Sequence, residues 1–161
     1  MSYFAAALVR TSDGWTAREL DLDGASDVDE VADLVRDLDG DADTVLLFVE
    51  EDDEYLAILR VDAEADELRV FVSDGHAADS YPMAELFAGA VEDPAGDGED
   101  DESLGRDSEP LGDADLLTDL GTSRRELIAL VEHEGTLPAD VITEVCERAG
   151  CVDELEALRG A

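Results

Sequence analysis

The residues from Glu19 to Glu30, ELDLDGASDVDE, nearly match a calcium-binding loop. Six of them carry the acid or glycine that the twelve-residue loop needs: Glu19, Asp21, Asp23, Gly24, Asp27 and Glu30. Such a loop also needs a helix on each side and a hydrophobic residue at its eighth position. Here that position is Ser26, and the residues before the loop alternate like a strand. We interpret the stretch as a strand end, a turn at Asp23-Gly24 and a helix start capped by Ser26 or Asp27.

The two histidines are the other candidates for chemistry. His76 lies in SDGHAADS after a predicted strand, where a loop can carry function, so a small enzyme using His76 is one alternative. His133 lies at a predicted helix end, where a cation stabilises the helix dipole. The chain has no glycine-rich phosphate loop, no H-E-x-x-H motif and no G-x-S-x-G motif. We therefore assign no catalytic, cofactor-binding or metal-binding residue and expect no enzyme activity.

The cysteines and the apolar segments bear on the compartment. Cys146 and Cys151 form C-x4-C, which is not a zinc-pair spacing and has no second pair to complete a site. Cys146 falls on an apolar helix face, which is typical of a buried, inert thiol. The apolar run in MSYFAAALVR is too short for a signal peptide, and no stretch reaches the roughly 18 apolar residues of a membrane helix. We expect a cytoplasmic protein with reduced thiols.

The charge of the chain excludes several partners. Forty-five Asp and Glu residues face ten Arg and no Lys, which gives a formal net charge of −35. Direct nucleic-acid binding is not expected, because that affinity comes from Lys and Arg that displace counterions from phosphates. Anionic membranes are equally poor partners. The remaining partners that an anionic surface would attract are a basic protein surface and metal cations. A cation-binding structural module is therefore an alternative function. Compositional drift of a whole lineage toward acidity is the explanation of the charge that we favour, and it would say nothing about one partner.

The first ninety residues predict a sheet with helices. Apolar or alternating runs indicate five strands, at Tyr3–Arg10, Trp15–Leu20, Thr44–Val49, Tyr55–Val61 and Leu68–Val72. Val28, Val31, Val35 and Leu38 have helical spacing, and a second helix is predicted to start near Pro82. Strands in this order, mostly joined as hairpins, favour an antiparallel sheet.

The remainder predicts a linker and a helical module. Residues 92–110 are rich in acids, Gly and Pro and lack periodicity, so we expect a disordered acidic linker. Four short helices are predicted after it: one around Leu116–Leu120, one capped by Ser123 and Glu126, one opening at Pro138, and one over Val152–Leu158. The fold class is therefore α+β: an N-terminal antiparallel sheet of about five strands with one or two helices packed on it over 1–91, the linker over 92–110 and a small helical module over 111–161.

Three long segments resemble a known family. They are SYFAAALVRTSDGWTARELDLD, TVLLFVEEDDEYLAILRVD and GDADLLTDLGTSRRELIALVEHEGTLPADVITEVCERAG. Together they look like the actinobacterial tRNA adenosine deaminase-associated proteins, a family named for gene proximity to that deaminase. The resemblance covers nearly all of the chain apart from the acidic linker, and it implies no functional residues.

The resemblance and the residues together predict an accessory protein. The chain is not the deaminase itself, because a zinc deaminase needs H-x-E and P-C-x-x-C motifs, and neither His76-Ala77-Ala78 nor His133-Glu134-Gly135 supplies the first. No C-x-x-C is present. We expect a non-catalytic protein that binds a basic surface, with the deaminase as the candidate partner, and that needs no cofactor. A homodimer stays open.

Overall fold

The computed structural model describes residues 3–22, 24–25, 27–38, 42–51, 54–62, 68–74, 81–91, 111–133 and 135–160. Its strands are β1 (Tyr3–Thr11), β2 (Gly14–Glu19), β3 (Thr44–Glu51), β4 (Tyr55–Asp62), β5 (Leu68–Val72) and β6 (Leu111–Gly112). Its α-helices are α1 (Val28–Arg36), α2 (Pro82–Val91), α3 (Arg124–Glu132), α4 (Pro138–Ala149) and α5 (Val152–Gly160). None of the helices in these ranges has the length and apolarity needed to cross a bilayer.

The strands form one antiparallel sheet in the order β2-β1-β3-β4-β5-β6. The five long strands are those predicted from the sequence, and the two-residue β6 adds a short sixth strand at one edge. The β1–β2 hairpin turns at Gly14, whose φ of 121° lies in the region that favours glycine. The α+β class with an N-terminal antiparallel sheet is therefore confirmed.

One face of the sheet packs against α1 and α2. Side chains alternate between the faces of a strand, so every second residue of β1, β3 and β4 points to this side. The core here joins Val9, Leu47 and Leu59 of the sheet with Val31 and Phe87 of the two helices. This layer matches the helix packing that the apolar spacing of α1 predicted.

The opposite face of the sheet packs against the C-terminal helices. Leu8, Phe48 and Ile58 point to this side and share one buried cluster with Leu127 of α3 and Ile142 of α4. The sheet is thus covered on both sides, which explains why β3 reads as a continuous apolar run instead of alternating with polar residues. A shared core is the physical reason why these short helices are stable beside the sheet, since a free-standing module of this size buries little apolar area.

The helix boundaries follow local capping, with one difference from the prediction. Ser123 and Glu126 form the predicted capping box, with Glu126 N donating to Ser123 Oγ at 3.2 Å and Ser123 N donating to Glu126 Oε1 at 3.1 Å. Pro138 opens α4 as predicted. The predicted helix at Leu116–Leu120 is instead a turn followed by a 3-10 segment, Thr118–Leu120. The segment stops there because Gly121 turns the chain with a φ of 105°.

The acidic linker predicted at 92–110 lies outside the described residues. The boundaries 1–91, 92–110 and 111–161 therefore stay predictions. The chain re-enters the described structure at β6, which pairs with β5, and residues from Ala114 onward belong to the same core as the sheet.

Candidate functional site

The two histidines differ in what the structure shows of them. His76 lies outside the described residues, and the enzyme alternative that rests on it stays a prediction. His133 is exposed at the C-cap of α3, the helix end that the sequence indicated. Its Nδ1 lies 3.0 Å from Thr136 Oγ1, a contact within the turn that follows the helix.

The calcium-like stretch is a strand end, a turn and a helix start. β2 ends at Glu19, Gly24 has a φ of 96°, and α1 starts at Val28. Asp27 is the N-cap, and its Oδ1 accepts a hydrogen bond from Glu30 N at 3.1 Å. The structural boundary near Gly24 is confirmed, and Asp27 is the cap. Within the described ranges, no group of three His, Cys, Asp or Glu side chains is placed to hold a metal ion.

Arg60 is the one buried cation in the described residues of the sheet, with 6% of its side chain exposed. It lies on β4 and reaches toward the turn before α3. Its Nη1 donates to the Leu116 carbonyl at 2.6 Å, and Nη1 and Nη2 donate to the two carboxylate oxygens of Asp119 at 2.7 and 2.9 Å. Its Nε donates to Asp62 at 3.1 Å. The Arg60 guanidinium therefore holds the C-terminal segment against the sheet through a bidentate, charge-assisted contact with Asp119.

Other arginines extend this network of charges. Arg69 on β5 donates from Nε to Asp113 Oδ2 at 2.7 Å. Arg124 lies 3.5 Å from Asp115, and both of these side chains are more than half exposed. Arg148 on α4 bridges to α3, because its Nη1 lies 2.9 Å from Glu126 Oε1. Partial exposure makes each of these outer pairs weaker than the Arg60 contact.

The network changes the acidity of its carboxyl groups. The hydrogen bonds from Arg60 lower the pKa of Asp119, against a smaller opposing effect of burial. Burial acts to raise the pKa of Asp113, but the hydrogen bonds from Arg69 and from the Asp115 amide outweigh it, so the pKa is lowered. Both carboxylates are therefore more stable in their charged form in the folded chain than in the unfolded chain.

The lowered pKa of Asp119 makes its contribution to stability dependent on pH. A group whose pKa falls on folding stabilises the folded state above its ordinary pKa of about 3.9 and loses that contribution as the pH falls through the folded value. We expect the difference in free energy of unfolding between the native chain and Asp119→Asn to be constant between about pH 5 and 7 and to shrink below about pH 4. Urea denaturation at each pH measures it.

Arg60→Met provides the control for this measurement. In that background Asp119→Asn no longer removes the Arg60 ion pair, so its effect on the free energy of unfolding should change much less with pH. If the difference in free energy of unfolding between the native chain and Asp119→Asn stayed constant down to about pH 3, the ion pair of Arg60 and Asp119 would not have the role given to it.

An open depression of about 620 Å³ lies beside the start of α3. The residues that line it are Asp115, Thr118, Ser123, Arg124, Arg125 and Ile128. It contains the one adjacent pair of basic residues in the chain, and both are exposed. Ser123 is engaged in the capping box and Arg124 lies beside Asp115, so these polar residues of the depression already contact partners within the chain.

An acidic face lies on α1. Asp29, Asp33 and Asp37 are exposed and spaced four residues apart, so they line one side of the helix and its C-cap. We call these three residues the α1 acidic face. Leu34, next to Asp33, is 39% exposed, although most large apolar side chains of the described structure are buried. The opposite side of the helix buries Val31 and Val35 against the sheet.

A family model described as Rv3753c-like tRNA adenosine deaminase-associated protein matches residues 3–152. The chain belongs to this family. The match covers the sheet and the helices α1 to α4 of the deaminase-associated protein, and it ends at the first residue of α5. Comparisons with curated proteins and with solved structures gave no match.

The family description indicates a protein associated with the deaminase and not the deaminase itself. This agrees with the absence of the zinc-deaminase motifs from the sequence of this deaminase-associated protein. His133, the one histidine among the described residues, contacts a threonine of its own turn.

Sequence reasoning missed the Arg60 network of the deaminase-associated protein. One signal was present: Arg60 interrupts the apolar run YLAILRV, which is otherwise buried throughout. A cation in such a strand needs an internal partner, because burying an unpaired charge is costly. The partner itself was not predictable, since Asp119 lies 59 residues away in the sequence.

Proposed function

We propose that this protein is a non-catalytic accessory protein that binds a basic protein surface, and that tRNA adenosine deaminase is its partner. The observation that carries the proposal is the pairing of arginines with other side chains of the same chain. Arg60, Arg69, Arg124 and Arg148 are in ion pairs with carboxylates of the same chain, and Arg10 stacks over Trp15 at 5.9 Å. The ten arginines of the chain leave a large excess of negative charge against its 45 acidic residues.

The uncompensated charge gives the surface a long-range attraction for a basic partner. A chain of net charge −35 accelerates association with a positively charged protein and is repelled by phosphate backbones. The tRNA-facing surface of a tRNA-modifying enzyme has to be basic for the same electrostatic reason. The family description supports the choice of the deaminase among basic proteins.

The α1 acidic face is the contact surface that we propose. It combines three exposed carboxylates with the half-exposed Leu34, so a partner could gain both charge pairing and apolar burial there. The helix is anchored to the sheet by Val31 and Val35, which keeps these carboxylates in fixed positions.

Calorimetric titration of the purified protein into the deaminase from the same cells tests the proposal. We expect binding that weakens steeply with added salt, because the attraction between exposed charges is screened. Neutralising the α1 acidic face with Asp29→Asn, Asp33→Asn and Asp37→Asn should weaken binding about tenfold, at roughly 0.5 kcal/mol for each exposed charge pair.

The matched control removes the same charge elsewhere. Glu147→Gln, Asp153→Asn and Glu156→Gln neutralise three exposed carboxylates on α4 and α5, on the opposite side of the sheet. This triple variant should bind the deaminase as the native chain does. Equal weakening in the two triples would exclude the α1 face as the contact, and no binding at low salt would exclude the deaminase as the partner.

The cytoplasm is the compartment that fits this proposal. Cys146 and Cys151 are not joined by a disulfide in the structure, and unbridged thiols are usual in that compartment. Fractionation of the native cells, with the protein and the deaminase followed together, tests the location.

A further inference from the structure

The end of α4 brings the two cysteines of the chain together. The N–H groups of Gly150 and Cys151 both donate to the Cys146 carbonyl, each at 2.9 Å. Gly150 has a φ of 92°, so the helix ends in a left-handed turn of the Schellman type. In such an ending the side chains at the two ends of the longer hydrogen bond lie against each other. Those two residues are Cys146 and Cys151.

Covalent geometry limits how far apart the two Cα atoms can lie. The Cα of a residue is about 2.4 Å from its own carbonyl oxygen and about 1.5 Å from its own nitrogen. Adding the hydrogen bond of 2.9 Å between Cys151 N and Cys146 O gives a maximum Cα separation of about 6.8 Å. Disulfides join Cα atoms that are roughly 4.4–6.8 Å apart. The backbone therefore already holds both residues within disulfide range.

Both thiols lie in the same apolar core. Cys146 and Cys151 are each 0% exposed and pack in the cluster that contains Ile142 of α4 and Leu155 of α5. Cys151 is also the residue directly before α5, and Leu155 N donates to its carbonyl at 3.1 Å. A bond between the two sulfurs would therefore tie the start of α5 to the last turn of α4.

We propose that Cys146 and Cys151 are a redox-active dithiol, which a low-molecular-weight disulfide oxidises to an intrachain disulfide that fixes α5 to α4. One protein thiolate attacks a sulfur of the oxidant, forms a mixed disulfide and releases one small thiol. The second cysteine attacks the protein sulfur of that mixed disulfide and releases the other small thiol. The two cysteines together lose two electrons and two protons. The oxidant takes up these electrons and protons as it is reduced to two small thiols. The reaction needs no partner protein.

Burial makes the opening of α5 the step that admits the oxidant. Neither sulfur is accessible while α5 lies on β1 and β2, so oxidation requires a local displacement of this terminal helix. Leu155 is the fully buried anchor of α5. Loosening that anchor should speed oxidation without altering either thiol.

Incubation of the full chain with oxidised glutathione, followed by trypsin digestion without reduction, tests the proposal. Trypsin cleaves after Arg148, which separates the two cysteines. A disulfide will therefore join the peptide that contains Cys146 to the peptide that contains Cys151, and dithiothreitol will part them. The oxidised protein should form no disulfide between chains, and each chain should lose two hydrogen atoms. Its melting temperature should rise by roughly 5 °C, as expected for closing a short loop.

Variants separate this dithiol from ordinary thiol chemistry. Cys146→Ser and Cys151→Ser should each stop at a glutathione adduct. The Leu155→Ala variant should form the disulfide about tenfold faster than the native chain. If that variant does not fold, a low concentration of urea should increase the rate of disulfide formation in the native chain in the same way. Three results would each overturn the proposal. The first is a digest in which the two peptides are not linked and both thiols can still be alkylated. The second is a glutathione adduct or a disulfide-linked dimer in place of the intrachain bond, and the third is a fall in the melting temperature on oxidation.

Discussion

Replacing Arg60 by methionine is expected to lower the free energy of unfolding by about 3 kcal/mol. The change keeps most of the side-chain volume but removes every hydrogen bond from the guanidinium. The Leu116 carbonyl then lacks its donor in a buried position, and Asp62 and Asp119 lose their shared cation. Because Asp119 is 60% exposed and can be hydrated again, the loss is smaller than for a fully buried ion pair. Urea denaturation followed by circular dichroism measures it.

Two further variants identify the cause. Arg60→Lys keeps the charge but not the planar fork, so it should recover only part of the stability. Arg125→Met removes an exposed cation from α3 and should change the free energy of unfolding by less than about 0.5 kcal/mol. Equal effects of Arg60→Met and Arg125→Met would mean that the contacts of Arg60 contribute nothing beyond one positive charge on an acidic chain.

Gly112→Ala should destabilise the fold by about 3 kcal/mol for two separate reasons. Gly112 has a φ of 101°, which an alanine adopts only with strain. In addition, an added Cβ would overlap the Val70 carbonyl oxygen of β5, and backbone atoms cannot turn aside as a side chain does. The overlap would push β6 away and break the hydrogen bond from Asp113 N to Val70 O, now 2.9 Å long. Thermal and urea unfolding of the variant measure the loss.

Other glycines of the chain separate the two causes. Gly135 has a φ of 88° but no atom within 4 Å of an added Cβ, so Gly135→Ala should show the strain alone, about 1 kcal/mol. Gly89 lies within α2 with open space around it, and Gly89→Ala should be neutral or stabilising because alanine favours helices. If Gly112→Ala cost no more than Gly135→Ala, the close approach of β6 to β5 would not matter for stability.

Local patterns predicted most of the secondary structure. The five long strands, the capping box at Ser123 and the turn at Gly24 all follow from residues within a few positions of each other. These features are set by backbone hydrogen bonds and by alternation, which a single sequence displays directly. The one local error, a helix at Leu116–Leu120, arose because three leucines at helical spacing fit a 3-10 turn equally well.

The arrangement of the layers was less accessible. Apolar faces on α3 and α4 show that these helices must be covered, but they do not say by what. Ile142 packs in one cluster with Leu8 and Ile58 of the sheet, which lie 134 and 84 residues earlier in the chain, and no local pattern encodes that pairing. The same holds for Arg60, whose strand displays an unusual charge and not its partner. The contact surface that we propose on α1 could not be predicted from a sequence in which acidic residues occur throughout.

The sheet covered on both faces has a consequence for how the chain is made. Synthesis runs from the N-terminus, so β1 to β5 leave the ribosome well before the residues that pack on the second face. Until Leu116 to Leu155 have emerged, Leu8, Phe48 and Ile58 lack the residues that bury them in the folded chain. The nascent chain therefore passes through an intermediate with a large exposed apolar surface. Chaperones bind intermediates of this kind, which aggregate when translation stalls. A chain cut short before α3 should be retained by such chaperones, however acidic its completed form is.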